Sequence, residues 1–533
     1  MGYLAPVEDG GTATVDEADS GAVDRLPRWA VGVLVGFGLA LLTCSLITPF
    51  AFVPDDALFY LVIARNIVGG DGITFSHVMG TNGFQPLWQA VVAGLVGITQ
   101  PLGLKSDASQ VALMVAASWA FLAGGLVLLE RLLRRLGTAP IARFAALAVV
   151  LVLLGGPYGT LATEASMVLL ALVVVLLAAR RLILATNADA LRWSALLGVA
   201  VAVQLLARLD TVFVAATTLL VVLVVLGRRH DWRRAFTSVL VAGLVTTACI
   251  APYLLWNLVR FGHLNPISGA VKLDTSRIWL VADSVGPTGW LLVIGALVLG
   301  AAGAALAPHR GDLWPWAAIA TGALAASTFY FLFSPGKLTN AGWYQAPHIL
   351  GFALGSALLV DRVAARLPRI APVVAIGSTA VLALTLVFVV QYRVQGANVD
   401  QANAVRQFGR DADAALPEDA IVVTVDYPGY VALVTRRPVI ALDGLTGDYD
   451  FQDDLRDRGG ECALADRGAT HLVTDTDSRL APAPDGPPTA RIQEVASWLY
   501  DESAGVLTVD ERDRLVSDPK GGLELWTLSV SCG

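Results

Sequence analysis

The sequence predicts an all-α polytopic membrane domain followed by a C-terminal external α/β domain. Three observations carry this expectation. Of 533 residues, 55% are hydrophobic and only 15% charged, with a mean hydropathy of +0.64, whereas a soluble chain carries about a quarter charged residues. About eleven apolar segments are long enough to span a bilayer. From about Gln391 the composition turns polar, with short alternating apolar runs.

Residues 1–28 read as a disordered cytoplasmic tail, acidic and Gly/Ala-rich up to about Asp24. The first apolar segment is long and lacks a small-residue cleavage site, so it is expected to be retained as a span. Spans are expected to begin near Trp29, Ala108, Ile141, Thr163, Trp193, Thr211, Ala235, Pro287, Leu313, Gln345 and Ile370. Together they make a membrane domain over 29–391. Between the first two lies an external loop, about 50–107, expected to carry interfacial helices. It opens with Asp55 and Asp56, continues through an amphipathic segment with Phe59, Ile63 and Ile67 on one face, and ends in the string from Thr81 to Trp88. A loop of this length is either functional or disordered, and this one is too apolar for disorder.

The segment Pro86–Thr99 is apolar but short, and the positive-inside rule decides whether it crosses. If it lies in the interface, every arginine cluster falls on one side: Arg25/Arg28, Arg131/Arg134/Arg135/Arg143, Arg180/Arg181/Arg192, Arg228/Arg229/Arg233/Arg234, Arg310 and Arg362/Arg366/Arg369. The other side then holds Arg65, Lys105, Arg208, Arg260, Lys272, Arg277 and Lys337. A crossing would split the strongest clusters across the bilayer. The expected protein is therefore a multi-pass plasma-membrane protein with a cytoplasmic N-terminus and outward-facing Asp55 and Asp56. No internal repeat points to the symmetric halves of a transporter, and nothing points to a nucleic-acid partner.

The C-terminal domain, 392–533, is then extracytoplasmic. An amphipathic stretch Val399–Leu416 precedes expected strands at Ala420–Asp426, Tyr430–Val434, Arg437–Asp443, Thr470–Thr474 and Leu523–Val530. Cys462 and Cys532 could pair there, outside the reducing cytoplasm, or stay free. Cys44 and Cys249 read as small buried hydrophobes within spans.

With topology assigned, the outer loops bring polar residues to one face: Asp55 and Asp56; Asn82 and Gln85; Glu164; Arg208 and Asp210; His263 and Lys272; Lys337, Trp343 and Tyr344. Ionisable groups near a bilayer are costly unless paired, interfacial or functional. The set suits an anionic substrate held in the membrane, with lysine or arginine for phosphate oxygens, a carboxylate to deprotonate a hydroxyl, and aromatics and amides for a sugar. Each has a plainer reading. Asp55 is placed to cap the following helix, Glu164 sits at a helix start, and Arg208 with Asp210 fits a local ion pair. Lys272 and Lys337 fit interfacial snorkelling, His263 loop structure, and Trp88, Trp343 and Tyr344 an aromatic belt.

The string PDDALFYLVIARNIVGGDGITF followed by TNGFQPLW resembles the first external loop of GT-C superfamily membrane glycosyltransferases, among them the aminoarabinose, protein O-mannosyl and arabinofuranosyl transferases. Thr163-Glu164 resembles that family's Gly-Met-Glu-Thr element, with Ala162-Thr163 in place of Gly-Met. Ala207 to Asp210 resembles its Arg-Pro-Asp/Glu turn without the proline. Phe261 to Lys272 and Arg437 to Leu445 resemble further elements of the family. The resemblance implies a polyprenyl-phosphate sugar donor, a glycan, lipid or protein acceptor, and inversion with Asp55 or Asp56 as general base. It implies Lys272, Lys337 or Arg208 at the donor phosphate, with Glu164, Asp210, Asn82, Gln85, His263, Trp343 and Tyr344 binding or supporting substrate. No cofactor is certain. A divalent cation (Mg or Mn) on Asp56 and Glu164 is what some members of the superfamily use. The rival readings are a lipid-linked sugar flippase and a non-catalytic glycan-binding assembly protein.

Overall fold

The computed structural model describes residues 25–155, 161–306, 313–334, 342–424, 427–475, 480–482, 488–490, 507–508, 514–518 and 522–532. The membrane domain begins with α1 (Arg28–Ile47), which packs on α4 (Asp107–Arg135), α5 (Pro140–Leu154) and α14 (Ile370–Val389). Between α1 and α4 come α2 (Asp55–Gly69) and α3 (Pro86–Thr99). The bundle continues with α6 (Ala165–Leu184), α7 (Asn187–Ala207), α8 (Val212–Arg229), α9 (Trp232–Phe261), a short α10 (Ile267–Lys272), α11 (Gly286–Ala305), α12 (Trp314–Phe333) and α13 (Ala346–Arg366). Helix α4 packs on α6, α6 on α7, α7 on α9, α8 on α12, and α11 on α13.

Ten helices among the described residues are long and apolar enough to cross a membrane, one fewer than expected. The difference is α5. Its 15 residues rise only about 22 Å, less than the longer helices. A Cβ at Gly155 would lie 3.3 Å from the Trp119 ring and 3.2 Å from Leu41. Trp119 follows Ser118, whose hydroxyl accepts from the Ala162 N–H just ahead of α6, so α5 reaches the level at which α6 begins. Cys249 corrects a second expectation: it is exposed on the flank of α9 rather than buried.

Helices α2 and α3 run side by side in the same direction. The Gln89 amide donates to the Tyr60 carbonyl at 3.1 Å, and two turns further on a Cβ at Gly97 would touch Val68 at 3.6 Å. The left-handed Gly70 (φ 94°) ends α2. Helix α2 was expected to be amphipathic, yet Ala57 to Ala64 are all buried. Neighbours on several sides remove the need for a polar face: α3, α4 and, from the C-terminal domain, α16 (Pro428–Thr435).

A π-helical turn, Val390–Val394, carries α14 onward towards α15 (Ala397–Ala415). The Arg393 guanidinium donates to the Ala51 carbonyl at 2.7 Å and ties this turn to the start of the external loop. Five strands form the main sheet beyond it: β1 (Val422–Thr424), β2 (Val439–Ala441), β3 (His471–Asp475), β7 (Arg514–Asp518) and β8 (Leu523–Thr527). Their order is β2-β1-β3-β8-β7, with β1 parallel to β2 and β3, and β8 antiparallel to β3 and β7. A small second sheet joins β4 (Leu480–Pro482), β5 (Pro488–Ala490) and β6 (Leu507–Thr508). Helices α17 (Tyr449–Asp457) and α18 (Gly460–Ala465) complete the described elements, and Cys462 of α18 is disulfide-bonded to Cys532. The expected strand Tyr430–Val434 is instead helix α16. Proline at its first position favours the helix, and the groups that satisfy its leading N–H donors come from a distant part of the chain, described next.

Candidate active site

Asp55 and Asp56 occupy the first turn of α2, where a helix N-terminus favours negative charge. Successive helical residues do not share a face, so the two carboxylates part ways. Asp55 turns to the C-terminal domain and accepts hydrogen bonds from the backbone N–H groups of Gly429 (3.0 Å) and Tyr430 (2.8 Å), the first turn of α16. The Tyr430 hydroxyl donates to the Phe50 carbonyl at 2.9 Å. Close approach requires a glycine at 429, because a Cβ there would lie 2.5 Å from the Asp55 carbonyl oxygen and 2.9 Å from Leu58. Burial pushes the Asp55 carboxyl up to about 8, against the pull of the two N–H groups.

Asp56 lines a cavity of about 400 Å³ instead. Among the described residues no side chain pairs with it or hydrogen bonds to it. Burial raises its pKa, and the charges of Lys272 and Arg208 pull it partway back.

The opposite wall is a connected polar network. Glu164 follows Ala162, a buried residue held at φ 62°. The Ala162 N–H donates to the Ser118 hydroxyl (3.0 Å), and its carbonyl accepts from the Trp88 indole (3.1 Å). Arg208 pairs directly with Glu164 and, through Nε, with Asp210 at 2.8 Å. The Tyr60 hydroxyl donates to Glu164 (3.1 Å), and the Tyr330 hydroxyl donates to Asp210 (2.8 Å). The Arg208 guanidinium also lies 3.7 Å from the centre of the Tyr344 ring. Two carboxylates and a ring face therefore occupy Arg208. Lys272 is differently placed: among the described residues its ammonium donates to the Tyr344 hydroxyl alone, at 2.7 Å, on the cavity wall.

The cavity thus brings together Asp56, Gln85, Glu164, Arg208, Asp210, Lys272, Trp343 and Tyr344. Gln85 accepts from the Leu209 N–H at 3.2 Å and fastens the start of α3 to the Arg208 turn. Asn82 does not line it. This buried side chain bonds Asn257 (3.1 Å) and accepts from the Ile267 N–H (2.8 Å), holding the loop before α10. His263 also stays outside, stacked on Tyr449 with ring centres 3.8 Å apart. Lys337 lies outside the described residues. Three contributors were not singled out as site residues, although the C-terminal domain was expected to shape the site. Tyr60 stands one helical turn beyond Asp56, a spacing open to helical periodicity. Tyr330 lies within an apolar span and gave no signal. Leu445 brings the C-terminal domain into the cavity wall, and a Cβ on Gly83 would fall 1.7 Å from its carbonyl oxygen.

The donor set does not fit a divalent cation between Asp56 and Glu164. Both Glu164 oxygens are engaged, by Arg208 and Tyr60. The positive charge facing Asp56 is carried by Lys272 and Arg208.

No protein-family model and no curated protein matches the chain. Solved structures do. ArnT from Cupriavidus metallidurans, bound to undecaprenyl phosphate, is 15% identical, with a TM-score of 0.56 over 95% of this chain and 99% of that one. The archaeal oligosaccharyltransferase AglB from Archaeoglobus fulgidus, in complex with an inhibitory peptide and a dolichol-phosphate, is 13% identical. Its TM-score is 0.51, over 88% of this chain and 71% of that one. At these identities the likeness is one of fold, and the fold is that of the GT-C glycosyltransferases.

Proposed function

We propose that the chain is an integral membrane glycosyltransferase working on the outer face of the plasma membrane. It moves a sugar from a polyprenyl-phosphate donor to a hydroxyl of a cell-envelope glycan, lipid or protein. The observation that carries this reading is the isolated Asp56 carboxylate facing Lys272 across one cavity, in a fold whose solved examples hold undecaprenyl phosphate and dolichol-phosphate.

Asp56 takes the acceptor proton as the hydroxyl oxygen bonds to the anomeric carbon. The carbon–phosphate oxygen bond breaks on the opposite side, which inverts the centre. The bonding pair leaves with the lipid phosphate, an anion stabilised by Lys272. Arg208 is a positioning residue, holding Glu164 and Asp210 as the rear wall. Asp55 fixes the start of α2 and so the direction of Asp56. The N-terminus is cytoplasmic and the C-terminal domain external.

The test is sugar transfer by the purified full-length protein in nanodiscs, against a panel of polyprenyl-phosphate sugars. Asp56→Asn is expected to lower transfer by about 10²–10⁴-fold with donor binding retained. Donor binding without turnover, unchanged by that substitution, would sink the enzyme reading and favour a flippase or assembly protein.

A further inference from the structure

A second, larger cavity plays no part in that chemistry. It is an apolar groove of about 660 Å³ between α3, α4, α6 and α7, walled by side chains such as Leu128, Val174 and Val199. Among the described residues its charged lining is Arg135 and Arg181. Arg135 is the last residue of α4, and Arg181 lies in the last turn of α6. Trp193 lines the groove beside them, with the Arg181 guanidinium 5.8 Å from its ring centre. The Arg180 guanidinium donates to the Arg135 carbonyl at 2.8 Å and fastens the two helix ends together.

Arg135 and Arg181 are exposed, and neither forms an ion pair with a carboxylate among the described residues. Arginine at a helix C-terminus is favourable in its own right, but that does not call for an apolar trough beside it. Cations at one end and apolar walls beyond describe the complement of an amphipathic anion. From Trp193 to Val203, α7 rises about 15 Å, half of a hydrocarbon core about 30 Å thick. The groove therefore has the depth of one leaflet. Its cationic end is the end of α7 away from Arg208 and the cavity of Asp56. That arginine-rich side is the one the positive-inside bias assigns to the cytoplasm, where the leaflet is anionic.

We propose that this groove binds one anionic phospholipid of the cytoplasmic leaflet. The phosphate sits between Arg135 and Arg181, an acyl chain runs along α7, and Trp193 marks the boundary of head and tail. The same helices lead to the other cavity, since α6 starts just after Glu164 and α7 ends just before Arg208. The inference does not depend on the proposed reaction.

The experiment is native mass spectrometry of the full-length protein, delipidated and then titrated with phosphatidylglycerol, phosphatidylcholine or undecaprenyl phosphate. Wild type is expected to retain one phosphatidylglycerol, on the order of tenfold more tightly than phosphatidylcholine. The double variant Arg135→Gln/Arg181→Gln, altered only at exposed side chains, loses that preference. Val199→Trp fills the groove and loses the bound lipid with both arginines intact. Equal retention of the two phospholipids by wild type, or a preference that survives either variant, overturns the proposal. Single-copy retention of undecaprenyl phosphate in place of phosphatidylglycerol overturns it too.

Discussion

At the level of single residues, two cations expected at one phosphate stand in different surroundings. Arg208 is 3% exposed and sits between Glu164 and Asp210. Its removal leaves the buried Glu164 without its counter-charge, a loss of about 3–5 kcal/mol. Arg208→Met is therefore expected to unfold the protein at a markedly lower temperature. Lys272→Met spares the pairing network and is expected to leave the melting temperature nearly unchanged while abolishing most transfer. It also removes a positive charge that lowers the Asp56 pKa. A base works deprotonated, so its activity falls as pH drops through its pKa. In Lys272→Met the acid limb of residual transfer should move to higher pH than in wild type, and a limb that moved down or stayed would remove Asp56 as the base.

These residues were legible in the sequence because charges stand out against apolar spans. The destination of Asp55 was not, because its partners are backbone N–H groups 374 and 375 residues away, which leave no side-chain signature. Position 162 shows how a departure from a family pattern becomes readable afterwards. The resembling element has glycine there, and the structure holds Ala162 in the left-handed region where glycine is at ease.

Among the elements, α16 shows best what periodicity cannot reach. At eight residues it is barely two turns long, too short for a 3.6-residue pattern to separate from an alternating one. Its leading N–H groups depend on a carboxylate from α2. Asp55→Ala leaves those donors without a protein acceptor, at about 1–3 kcal/mol. Hydrogen exchange across 428–435 should quicken in that variant, and Asp55→Asn, which keeps one acceptor oxygen, should lie between. Exchange identical to wild type in both would show that α16 stands without α2. The long spans were read well because twenty apolar residues have few other fates. Helix α5 is shorter than its neighbours, yet it carries the chain from the Arg135 end of α4 to the start of α6 beside Ser118, as the eleventh expected span would.

Across the whole molecule, the cavity is shared property. The membrane domain supplies its charges, and the C-terminal domain supplies Leu445 and the seat for Asp55. Gly83→Ala tests this joint ownership, since the added methyl collides with the Leu445 carbonyl. Transfer is expected to fall, and exchange across 440–447 to rise, with the membrane helices as protected as before. Unchanged transfer would mean that the two domains merely touch.

The Cys462–Cys532 disulfide ties residues 70 positions apart. It therefore fastens any backbone break between them. A protein nicked inside that interval would migrate as a single band on a non-reducing gel and as two after reduction. Intactness in a preparation of this protein has to be read with thiol present.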